Sequence, residues 1–225
     1  MSNVKSYIKG IPIIGKMPGQ VRKIFKRKSP SIQGRNNKII NLGAFYKVIF
    51  DIKGNDNKVE IGKNTIIKNT LIYMRGNKHT IIIKDDCYIA GGELWIEDSN
   101  CSLIIHNQTT IEHAHLAVTE PFSVLEIHKD CMLAKYVEIR TGDSHSIIEK
   151  ETGKRINKAA NVSLGEHVWI GAHSKVLKGV TIHNNSVIGT ASVVTADIPA
   201  YCVAAGIPAK VIRSGTDWTR ERMND

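Results

Sequence analysis

Ile39, Ile61, Ile83, Ile105 and Ile127 stand 22 residues apart. Six positions after each comes a second apolar column, Phe45, Ile67, Ile89, Ile111 and Leu133. Val59, Ile81, Leu103, Leu125 and Ile147 make a third. Between the first two columns, four residues after each Ile, the side chain is always small: Gly43, Thr65, Cys87, Thr109 and Cys131. A chain that repeats in this way is restricted to a stack. One unit alone cannot bury its apolar face, but successive units bury it against each other. The small column suits an inward corner, and Asn64, Asp86, Asn107 and Asp130 suit the backbone angles of turns.

Downstream the period shortens to six, through Leu164, Ile170, Val176, Ile182, Ile188 and Val194. Three such segments make one triangular coil of 18 residues, and a longer unit is the same coil with about four extra residues at its corners. The two regimes predict one parallel β-helix over residues 39–198. The polar stretch 141–162 interrupts the columns and reads as a loop projecting from the coil edge. Loops on a rigid scaffold are where sites concentrate. Residues 199–225 read as a short C-terminal extension.

Charge divides the chain again. Residues 1–38 hold ten Lys or Arg and no acid, whereas the other 187 hold 21 of each sign. The net charge of +10 therefore sits in an N-terminal arm. Such an arm favours an anionic surface or polymer. The reading takes an acidic glycan or the inner face of a membrane, and not nucleic acid. Val21, Ile24 and Phe25 at helical spacing among basic residues suit a short interfacial helix, and a solvated or subunit-packing arm is the other reading. No run is long enough to span a bilayer and no leader pattern is evident, so a cytoplasmic, at most peripheral, location is expected. The four cysteines, Cys87, Cys101, Cys131 and Cys202, lack metal or disulfide spacing and are expected to be free thiols.

Five segments in order then carry a resemblance: GDSHS at 142–146, HVWIGAH at 167–173, LKGVTI at 177–182, SVIGTASVVTADIP at 186–199 and VAAGIPAKVI at 203–212. Together they resemble the hexapeptide-repeat acyltransferases, in the branch of galactoside, maltose and capsule-sugar O-acetyltransferases. CMLAKYVEIRTGDSH, with GKRIN after it, is similar to the capsule sialic-acid O-acetyltransferases. The resemblance implies an all-β fold with left-handed coils, a homotrimer, and acetyl-CoA bound between neighbouring subunits. The N-terminal arm has no counterpart in it.

Acetylating an alcohol requires a base, because a sugar hydroxyl is a poor nucleophile. Histidine suits the task near neutral pH. His145 lies in the projecting loop and matches the family's base, with Asp143 a candidate to orient its ring. Trp169 matches a tryptophan beside the thioester and is expected to point outward, because it follows the corner residue Val168. It is a candidate oxyanion donor or a packing surface for the pantetheine arm. By the same resemblance Ala172 and Thr190 line the pantetheine channel, Thr195 and Ala196 contact the cofactor, and Lys210 and Arg213 lie near its phosphates.

The expected reaction is direct transfer of acetyl from acetyl-CoA to a hydroxyl of a capsule or other cell-surface polysaccharide, with no metal. The rivals are N-acetylation of an amino sugar or nucleotide sugar, a non-catalytic β-helix scaffold, and a zinc hydratase built on His113 and His115. His115 is also a candidate to touch the acceptor. His167 and His173 are edge residues without an assigned role.

Overall fold

The repeated columns stack into a prism with three flat faces, a left-handed parallel β-helix; the computed structural model describes residues 31–224. The first face carries Ala44–Tyr46, Ile66–Lys68, Tyr88–Ile89, the openings of Thr110–Val118 and Met132–Arg140, then Trp169–Ile170, Val187–Ile188 and Cys202–Gly206. The second face carries Ser31–Gln33, Ile49–Lys53, Thr70–Asn77, Gly92–Ser99, the second halves of the same two long strands, Lys175–Val176 and Val193–Val194. The third runs from Lys38–Asn41 to Thr181–Ile182. Neighbouring coils pair in parallel, so backbone groups are satisfied by the coils on either side.

The core fills the centre of the prism. Leu164, Ile170, Val176, Ile182, Ile188 and Val194 are fully buried, one per segment. From Thr65 to Cys131 the small corner column is buried and also hydrogen-bonded. Thr65 Oγ1 donates to Lys84 O at 2.6 Å and Thr109 Oγ1 to His128 O at 3.0 Å. Cys87 and Cys131 point their thiols at corner carbonyls in the same way. Desolvation pushes the Cys87 thiol up to about 11 and the Cys131 thiol to about 12, so both stay protonated as packing groups. All four cysteines are free.

Four details of the sequence reading change. Ile39 pairs with Val59 while Asn41 faces Ile61. The corner Leu42–Gly43 is two residues long where Gly62–Thr65 has four, so the first coil is short. Ile147 leaves its column for the loop and is 56% exposed, and Val162 stands opposite Leu125 instead. At the turns Gln108, not Asn107, adopts the left-handed conformation, with φ 63°, in step with Asn64, Asp86 and Asp130.

The limits of the coil also move. Ser31–Gln33 already pairs with Asp51–Lys53, ahead of residue 39. At the other end Cys202–Gly206 still continues the first face beyond residue 198, and Ala209–Ser214 then turns back antiparallel against it. The helix expected around Val21, Ile24 and Phe25 lies outside the described residues.

Candidate active site

The insertion that carries His145 leaves the prism at the corner between the second and third faces. It is a tied excursion rather than a slack loop. Ala160 N donates to Thr141 O at 2.9 Å and closes its base. Ile148 and Arg155 bridge its two arms. At the root, buried Asn157 acts as a hub. Its Nδ2 donates to His145 O and to Asp143 Oδ2, both at 2.8 Å. Its Oδ1 accepts from Ile147 N at 2.7 Å and Arg155 Nε at 3.1 Å. Arg155 in turn grips Glu120 on the prism with both guanidinium nitrogens, and that contact holds the Glu120 carboxyl below the usual carboxylate range.

His145 is exposed on this frame, and its N–H donates to Asp143 O at 2.8 Å. The carboxylate of Asp143 is directed elsewhere than the imidazole. Its Oδ2 accepts from Lys178 Nζ and from Asn157, and the Lys178 ammonium keeps its pKa low. Lys178 also donates to Asn157 O at 3.0 Å. Asp143 therefore shapes the loop, and the ring of His145 faces outward, open to a reacting partner.

The other candidates occupy three neighbouring surfaces. Thr195 and Ala196 are exposed on the same edge as the His145 loop, toward the C-terminal end. Ala172 and Thr190 stack at the opposite edge of the second face. There the chain is pared to backbone: a methyl built on Gly189 would stand 2.9 Å from Ala205 Cβ, and one on Gly171 2.6 Å from Thr190 N. Lys210, opposite Ala205, and Arg213, opposite Val203, are exposed on the strand that closes the stack. Small residues followed by two exposed cations fit a long thin ligand with a phosphate end.

Trp169 is on the first face, as its pairing with Met132 and Val187 requires, and is 37% exposed. Its ring lies 5.9 Å from that of Trp218 in the C-terminal tail. His167 anchors that tail: its ring stacks on Trp218 at 4.1 Å, its Nδ1 meets Asp130 Oδ2 at 2.6 Å, and its backbone carbonyl accepts from Trp218 Nε1. Within one chain, then, His145 and Trp169 are separated by the second face.

His113 and His115 do not converge on a metal. They have different partners: His113 faces the ring of Tyr136, the extra residue where the neighbouring strand shifts register, and His115 Nδ1 meets Glu93 at 3.0 Å. His173 extends the His113–Tyr136 stack at the corner. Away from the loop, His106, Glu126 and His128 hold three donor atoms within 4.8 Å of one another. Asn157, Lys178, Arg155 and Glu120 were not singled out in the sequence. Arg155 and Asn157 lay in the GKRIN segment and Lys178 in LKGVTI, and none of these segments marked them as the loop's anchors.

Residues 161–196 match the family described as bacterial transferase hexapeptide (six repeats). The polysialic acid O-acetyltransferase of Neisseria meningitidis is 40% identical over 126 residues, which is 56% of this chain and 58% of that protein. The chain spans about half the length of the curated relatives it matches. Two solved structures superpose over most of the fold. The polysialic acid O-acetyltransferase OatWY is 33% identical, with a TM-score of 0.77, covering 86% of this chain and 93% of that one. The polySia-specific acetyltransferase NeuO is 30% identical, with a TM-score of 0.76, covering 86% and 90%.

Proposed function

The chain belongs to the hexapeptide-repeat acyltransferase family, and from that premise we propose that it transfers acetyl from acetyl-CoA to a hydroxyl of an anionic, capsule-type polysaccharide. The observation that carries this reading is the braced loop that holds an exposed His145 beside the prism, in a chain similar to enzymes named for acetylating polysialic acid.

Acetyl-CoA supplies an acetyl group activated as a thioester. The backbone-lined edge at Ala172 and Thr190 accepts its narrow arm, and Lys210 and Arg213 meet its phosphates. Thr195 and Ala196 offer contacts on the other edge. The imidazole of His145 takes the proton of the sugar hydroxyl as its oxygen attacks the carbonyl, and returns it to the departing sulfur. Asn157, Lys178 and Asp143 keep the base in place. Trp169 stands too far round the prism to serve His145 of its own chain, so a neighbouring copy supplies it in a homotrimer. Ile147, Ile148 and Ile156, between 56% and 63% exposed on the loop, are apolar surface for that contact. The basic arm would hold the enzyme near anionic polymer at the cytoplasmic face of the membrane.

The test is thiol release from acetyl-CoA over a panel of acidic and neutral polysaccharides, with the product treated with mild alkali. An alkali-labile acetyl on an acidic glycan, reduced about 10²–10⁴-fold in His145→Ala, is the expected result. An alkali-stable product would mean an amine acceptor. Full activity in His145→Ala would remove the base from the mechanism.

A further inference from the structure

Outward-facing residues on the second face form a ladder across the coils: Asp51, Tyr73, Trp95, Ala117 and Arg140 stand in register on successive strands. Most rungs are large. Tyr73 and Trp95 stack at 3.6 Å with 17° between their planes, and the Arg75 guanidinium lies 3.9 Å from the centre of Tyr73. Ala117 breaks the series. The missing side chain leaves a shallow notch of about 210 Å³, bordered by Trp95, His115, Thr119, Arg140 and Ser144. Tyr73 covers one face of the Trp95 indole, which leaves the other toward the notch. Ser144 is the residue before the base, so the notch opens beside His145.

The polar groups around it are largely committed. His115 Nδ1 is tied to Glu93, and Arg140 is tied to Glu138, whose carboxyl, against the pull of its partial burial, is kept low by Lys175 and Arg140. Glu97 is the remaining charged neighbour. Thr119 is the exception. It is 8% exposed, and its Oγ1 is, among the described residues, the buried side-chain oxygen or nitrogen left without a hydrogen-bond partner. Gly142 lies over it. The hydroxyl is enclosed beneath it, and a methyl at that position would stand 2.6 Å from Thr119 Oγ1. Orphaned buried hydroxyls are rare and call for a partner.

We propose that this notch is the acceptor subsite: it takes one pyranose ring of the glycan chain, with an apolar ring face against Trp95 and its hydroxyl rim on the side bordered by Thr119 and Ser144, and so presents the next hydroxyl to His145. A sugar ring has the two properties the notch asks for, a C–H face that packs on an aromatic and a rim of hydroxyls. The inference rests on the acetyl-transfer reading for its substrate class. It adds the place and the contacts.

Calorimetric titration of the full chain with short oligosialic acid and with a neutral oligoglucoside tests it, alongside Trp95→Ala, which removes the wall, and Ala117→Leu, which fills the notch. Acetyl-CoA binding and light-scattering mass are measured on each variant to show that fold and assembly persist. Whichever glycan binds the wild type is expected to bind about tenfold more weakly to both variants, with acetyl-CoA affinity unchanged. Glycan affinity unaltered in both variants overturns the subsite, and so does failure of the wild type to bind either glycan. A change in mass without a change in glycan affinity also overturns it, and assigns the notch to subunit contact. Acetyl transfer by the wild type separates the two claims. Transfer with unaffected glycan binding keeps the reaction and loses the notch; notch-dependent binding without transfer keeps the notch and loses the reaction.

Discussion

At the corner between the second and third faces, His79 occupies the place that Asn57 holds one coil earlier. Asn57 Oδ1 accepts from His79 N at 2.9 Å, and His79 Nδ1 accepts from Cys101 N at 3.3 Å, while its Nε2 meets Arg75 O at 3.0 Å. The ring is fully buried, and desolvation lowers its pKa from 6.5, so the neutral form is the one that fits. The unfolded chain takes up a proton below 6.5 and the fold resists it, so stability is complete above that pH and falls as the medium becomes more acid. Urea unfolding should show stability falling as the pH drops below 6.5 toward the lowered pKa of the folded state, and His79→Asn should flatten that fall. An unchanged slope in the variant would place the effect elsewhere. Asn157 is the second residue whose role is set by what it holds. Asn157→Ala strands several loop groups and should cost about 1–3 kcal/mol in thermal unfolding. Because it acts through His145, kcat should fall much more than KM rises. The exposed place of His145 in the projecting loop was legible in the sequence because the residue sits in a short polar motif. Asn157 was not, because its meaning lies in partners up to 21 residues away that no spacing rule connects.

The coils were legible for a different reason. A parallel stack repeats the same contacts at every level, and the sequence repeats with it. What escaped were departures from that regularity: the shortened corner at Leu42–Gly43, which shifts Ile39 into the Val59 column, and the insertion that hands the place expected for Ile147 to Val162. An insertion or deletion at a corner leaves the local pattern intact and changes only the partner. Backbone approach at the corners is equally hidden. Gly54 has φ +135°, and a methyl there would stand 1.7 Å from the carbonyl oxygen of Gly76 in the next coil. Gly54→Ala must therefore both distort φ and push two coils apart. The expected loss is at least about 1–3 kcal/mol from the backbone alone, read as a lowered thermal midpoint. Gly153→Ala, with nothing within 4 Å, should lose less. Equal losses would show that the close approach is relieved at no cost.

In the molecule as a whole, the separation of His145 from Trp169 has an experimental signature. If each active site takes its base from one subunit and its tryptophan from another, two inactive proteins can repair each other. His145→Ala and Trp169→Ala, each with little activity alone, should recover a measurable fraction when unfolded together and refolded as mixed oligomers. Mixing that restores nothing would mean that both groups serve one chain, and full activity of Trp169→Ala alone would mean that Trp169 is dispensable. The stack also limits how such a protein can change its length. Each level is one strand spacing, about 4.8 Å, and every outward residue is aligned with the ones above and below. A partial repeat would rotate all later residues out of register, whereas one whole turn more or less leaves them facing as before. Growth is thus quantised, and duplication of a complete unit ahead of the His145 loop would carry the first described strand, Ser31–Gln33, one step further from the chemistry while leaving the chemistry itself untouched.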